Sequence, residues 1–71
     1  MRRLTREREI RGWSRAELSR RAGLNPSQVG LFESGRLIPY PVQLRKLAGA
    51  LEFGNDPTEL MDEVQHEAVA A

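Results

Sequence analysis

The sequence predicts an all-α fold of five short helices. Glycine or proline, backed by Ser, Asn or Asp caps, punctuates the chain at nearly every point where a helix should start or stop. No stretch alternates apolar and polar residues for long enough to make a convincing strand. The size sets a further bound: 71 residues without cysteine are expected to form a single domain over 1–71, with a small core that no disulfide or thiolate metal site can brace.

The first helix is expected from about Arg2 to Arg11, released by Gly12. Its apolar content is thin (Leu4 and Ile10, with Trp13 just beyond), so it must lean on neighbours to fold. Ser14 is a natural N-cap and Glu17 completes a capping box, which opens a second helix through Ala22 that closes at Gly23. Asn25-Pro26 restarts the chain at once: Asn25 caps, and Pro26 suits the first helical position because its missing N–H would be unpaired there. The third helix runs to about Ser34 and stops at Gly35. Two short helices joined by a Gly-containing turn of this length make a helix-turn-helix.

Pro39 and Pro41 keep Arg36–Tyr40 out of the helical region. Pro41 then opens a fourth helix whose Leu44, Leu47, Ala48 and Leu51 share a core face, with Gly54-Asn55 as its expected end. Asp56-Pro57-Thr58-Glu59 is a further helix start, and the fifth helix, about 56–68, carries Leu60, Met61, Val64 and Ala68 on one side.

A formal net charge of +1 hides an asymmetry. Residues 1–46 hold all 11 basic residues against four acids, a balance of +7, whereas 47–71 hold six acids and no Lys or Arg, a balance of −6. A basic body suits a polyanion such as a phosphate backbone, with the acidic end turned away from it. A solvated surface of uneven charge is the plainer reading, because net charge speaks to association rather than to fold.

At roughly 100° per residue, the third helix places Val29, Phe32 and Glu33 on one side, to pack on Leu18 and Leu24. Ser27, Gly30, Leu31 and Ser34 fall on the other, flanked by Pro26 and Gln28. That outer side carries no charge in a chain that is 30% charged. Small polar groups and one leucine suit base edges, where hydroxyls hydrogen-bond and a thymine methyl takes apolar contact. Ordinary surface serines and one stray exposed leucine would look the same. Gly30 argues against that, since a mid-helix glycine costs roughly 1 kcal/mol relative to alanine. Either close helix packing or close approach of a ligand should require it.

Residues 11–35, RGWSRAELSRRAGLNPSQVGLFESG, followed by Pro39 and Leu44-Arg-Lys-Leu-Ala-Gly-Ala-Leu51, resemble the Cro and repressor (XRE-like) helix-turn-helix family of phages and bacteria. The resemblance covers roughly residues 4–51, and Gly23, Val29, Glu33-x-Gly35 and the later Leu-x-x-Leu-Ala all fall in register. It implies a lambda-repressor-like fold that binds double-stranded DNA as a homodimer, with the third helix in the major groove. Pro26, Ser27, Gln28 and Leu31 match base-contacting positions. Arg15, Asn25, Ser34 and Arg36 match phosphate-contacting positions, although the Asn25 side chain is also wanted as a cap. Glu33 matches an acid that pairs inside the fold with an arginine of the first helix, here Arg8. Three departures stand out: Glu7 where an apolar residue is expected, Ser19 for a small alanine at the helix crossing, and Arg15 for a glutamine.

The function implied is transcriptional regulation, with repression the expected sense, in the cytoplasm at the nucleoid, by a bacterial or phage-encoded protein. Neither a signal-peptide region nor a membrane span is expected, since Leu4 is followed by Thr-Arg-Glu-Arg-Glu and no apolar run approaches roughly 20 residues. No enzymatic activity, cofactor or metal is expected: the single histidine, His66, lies near the end, and no Gly-rich phosphate loop occurs. The alternative is an antitoxin-like or adaptor module, whose protein partner binds the acidic fifth helix.

Overall fold

A computed structural model describes residues 1–65, and in it four α-helices and one short 3-10 helix enclose a single apolar core. The helices are α1 (Arg3–Ile10), α2 (Arg15–Ala22), α3 (Pro26–Ser34) and α4 (Pro41–Leu51), and the 3-10 helix is Pro57–Met61.

Local chemistry sets most of the boundaries. Ser14 Oγ accepts the Glu17 N–H at 3.0 Å and starts α2. Only half of the capping box forms, because the Glu17 carboxylate turns instead to Arg20 and Arg21. Gly23, at φ +70°, closes α2 and lets the Leu24 N–H reach the Ser19 carbonyl at 2.8 Å. Asn25 Oδ1 then accepts the Ser27 N–H at 3.0 Å, with Pro26 in the first turn of α3. At the start of α4, Gln43 Oε1 accepts the Tyr40 N–H at 2.8 Å.

Helix α4 stops earlier than Gly54-Asn55 suggests. Its terminator is Glu52, which sits in the left-handed region at φ +51°. The turn there is closed by the Phe53 N–H, which bonds the Ala48 carbonyl at 2.9 Å, while the Phe53 ring packs at the edge of the core.

Leu4, Leu18, Ala22, Val29, Phe32, Leu44, Leu47, Ala48, Leu51 and Leu60 form the core, with Trp13, Leu24, Phe53 and Met61 packed at its edge. Ile10, expected to help α1, is exposed. The departures at Glu7 and Ser19 find polar solutions. Arg11 donates to both the carbonyl and the carboxylate of Glu7 and to the Leu51 carbonyl, so a guanidinium ties α1 to the end of α4. Ser19 is fully buried, and its hydroxyl donates to the Arg15 carbonyl one turn back at 2.7 Å.

The fifth helix is not the α-helix expected over 56–68. The turn from Pro57 to Met61 is 3-10, capped by Asp56 Oδ1 on the Thr58 N–H at 3.0 Å, and the chain is extended at Asp62. The carbonyls of Met61 and Asp62, which would accept the next helical N–H groups, are taken at 2.7 Å by the Arg2 guanidinium and the Arg3 N–H. Val64 N–H pairs with the Met1 carbonyl at 2.8 Å, so this stretch lies along the N-terminus as a short antiparallel ribbon. The remainder of that predicted helix, including His66 and Ala68, lies outside the described residues.

Candidate nucleic-acid interface

The turn Gly23–Asn25 delivers α3 across α2, and these two helices are closely packed. Val29 and Phe32 are completely buried, and the Glu33 side chain is only 3% exposed. With that side inward, Pro26, Ser27, Leu31 and Ser34 are exposed, while Gln28 and Gly30 are half-buried. The outer surface of α3 is therefore polar but uncharged, with Leu31 as its apolar element.

Hydrogen bonds restrict what these side chains can offer. Asn25 Oδ1 accepts both the N–H and the hydroxyl of Ser27, at 3.0 and 2.8 Å, which leaves the Asn25 amide nitrogen for any outside contact. Ser34 Oγ donates to the Leu31 carbonyl at 3.1 Å and would have to rotate to meet a phosphate. Arg36 is exposed and forms no ion pair with a described residue.

Behind α3, Arg8 meets Glu33 with two bonds, Nε to Oε2 at 2.7 Å and Nη2 to Oε1 at 3.1 Å. Its Nη1 donates to the Trp13 carbonyl at 2.7 Å. Helix α1 packs mainly on the 3-10 helix, and this side-chain pair ties α1 to α3 beside the shared core of Leu4, Val29 and Phe32. Arg15 also reaches Glu33, Nε to Oε1 at 3.0 Å, while 59% of its side chain stays exposed. The sequence reading missed this third member. The Arg15 stem lies over Gly30, but a Cβ placed there would meet Arg15 Cδ at 3.7 Å, an ordinary contact, so packing within the fold does not account for the glycine.

Over residues 2–61 the chain matches the helix-turn-helix domain family. It belongs to that family. Among curated proteins and solved structures nothing matches it. The helix-turn-helix is a DNA-binding domain, and in this chain its two helices are α2 and α3.

Charge around this helix-turn-helix is distributed differently from the split along the sequence. Part of the acidic end folds back onto the basic body: Glu63 lies 3.6 Å from Arg2 and 3.4 Å from the N-terminal amine, and Glu59 lies 3.6 Å from Arg3, whereas Glu52, Asp56 and Asp62 are exposed and form no ion pair with a described residue. Arg2 and Arg3 are thereby committed inside the fold, Arg3 also standing over the Phe53 ring at 5.0 Å. Arg20 and Arg21 share Glu17, whose carboxyl is held below its ordinary range by those hydrogen bonds, Arg20's first. Arg36, Arg45 and Lys46 are exposed and pair with no described residue. No helix of the described residues is long and apolar enough to cross a membrane.

Proposed function

We propose that the chain is a sequence-specific regulator of transcription that binds double-stranded DNA as a homodimer and represses by occupying its site. The uncharged outer face of α3 carries this reading, standing outward opposite the buried Val29–Phe32 side in a domain otherwise dense in charge. Pro26, Ser27, Gln28 and Leu31 are the base-contacting set. Arg15, Asn25 through its amide nitrogen, Ser34 and Arg36 are the phosphate-contacting set. One reading helix covers only a few base pairs, so useful specificity calls for two copies on half-sites about one helical turn, roughly 34 Å, apart. The setting this reading implies is the nucleoid in the cytoplasm, for a bacterial or phage-encoded protein.

Selection of bound duplexes from a random pool tests the reading. A near-palindromic motif is the expected result, and recovery of no enriched sequence removes it. The acidic segment gives little support to a protein-docking role, since Glu59 and Glu63 already face arginines of the same chain.

A further inference from the structure

Glu33 lies under the reading helix with two guanidiniums on one carboxylate. Arg8, whose side chain is 9% exposed, binds it with two nitrogens and balances its charge. Arg15 takes the remaining approach to Oε1 with Nε alone. The three groups together carry one net positive charge, and the exposed member holds it. An arginine bonded through Nε keeps both terminal nitrogens as donors, a planar fork matched to phosphate. Both remain without a hydrogen-bond partner among the described residues, and the stem below them lies across Gly30 in the middle of α3.

We propose that Glu33 is a positioning residue for DNA binding: anchored by Arg8, it holds Arg15 by Nε across α3 at Gly30, so that Nη1 and Nη2 are set in advance for a backbone phosphate beside the reading helix. The proposal rests on the DNA-binding reading above and adds what orients the grip. Exposed ion pairs ordinarily do little because both partners are mobile. Here the acid is buried and fixed, so Arg15 has lost much of its rotamer freedom before DNA arrives, and binding is relieved of that ordering cost.

Lysine at this position keeps the charge but has no second donor group set back along its stem, so it cannot be held at Glu33 and still present a fork. Arg15→Lys and Arg15→Met are compared with the wild type by titrating a specific duplex over a range of salt, with thermal melts alongside. Arg15→Lys should weaken binding by about tenfold per subunit while keeping the wild-type salt slope. Arg15→Met should weaken it at least as much and flatten the slope by about one unit per lost contact. In the DNA-free protein, the Arg15 Hε resonance should exchange with water more slowly than that of Arg36. Wild-type affinity for Arg15→Lys, or an Arg15 Hε that exchanges as fast as that of Arg36, overturns the tether while leaving DNA binding intact. An unchanged slope in Arg15→Met overturns the phosphate contact. A wild type that binds no duplex overturns the functional reading itself.

Discussion

The hydroxyl proton of Ser27 is already committed, because Oγ donates to Asn25 Oδ1 at 2.8 Å. What Ser27 can offer a base is therefore an acceptor, and in the major groove the donors that fit are adenine N6 and cytosine N4. Ser27→Ala should flatten a preference for A or C at one position of each half-site, measured by binding to duplexes varied at that position. A base preference at that position left unchanged by Ser27→Ala would contradict it. Glu52 is a second residue whose chemistry follows from its place. A non-glycine residue in the left-handed region is disfavoured by roughly 1 kcal/mol, so Glu52→Gly should raise the melting midpoint, by about 4–8 °C for each kcal/mol regained in a domain this small. A lower midpoint would mean that the side chain contributes more than the backbone loses. Ser14, Gly23, Asn25, Pro26 and Gly35 were legible in the sequence because a cap or terminator acts on its own neighbours. Glu52 was not, because a glutamate gives no local signal for the left-handed conformation it takes where Phe53 turns onto the core.

Between elements, the Arg8–Glu33 pair should matter more than a surface pair, since both side chains are buried. Breaking a buried pair by removing one partner costs roughly 3–5 kcal/mol, because the other charge is stranded. Arg15 makes the two truncations unequal. Arg8→Ala leaves Glu33 with Arg15 at 3.0 Å, whereas Glu33→Ala leaves Arg8 buried with the Trp13 carbonyl and, at 3.8 Å, only Glu9. Thermal melts should show Glu33→Ala as the more damaging change, and near-wild-type midpoints for both would mean the pair is dispensable. The carboxylates of Glu17 and Asp56 act at helix starts, each lowered below its ordinary value, Glu17 mainly by Arg20 and Asp56 mainly by the Thr58 N–H. A lowered folded value means the stabilisation is complete above the ordinary carboxylate range and is lost as pH falls through the folded values. Asp56→Asn should therefore reduce part of the acid sensitivity seen in a pH series of melts. The pairing of Arg8 with Glu33 came from a family resemblance, not from spacing, and neither route showed that Arg15, a matched phosphate-contacting position, also bonds Glu33. The end of the 3-10 helix was equally hidden: Met61 and Asp62 lose their helical bonding to Arg2 and Arg3, at the other end of the described chain.

For the whole molecule, the split between a basic body and an acidic end describes the sequence better than the surface. Folding sets Glu59 and Glu63 against Arg3 and Arg2, while Arg36, Arg45 and Lys46 stay exposed and pair with no described residue, and Arg15 and Arg20 stay exposed although each meets an acid. A dimer making six or more phosphate contacts should lose roughly 10³-fold in affinity between about 50 and 200 mM salt. Affinity that barely changes over that range would contradict phosphate contact on this scale. The central claim is that the outer face of α3 reads sequence while the surrounding cations only grip. It is tested most directly by binding Ser27→Ala, Leu31→Ala and Arg36→Ala to a selected duplex and to a scrambled one, with melts to show that each variant folds. Ser27→Ala and Leu31→Ala should each lose about 1–3 kcal/mol on the selected duplex and much less on the scrambled one, while Arg36→Ala weakens both alike. A specific-to-scrambled ratio that stays at the wild-type value in Ser27→Ala and Leu31→Ala would show that α3 is not the reading helix.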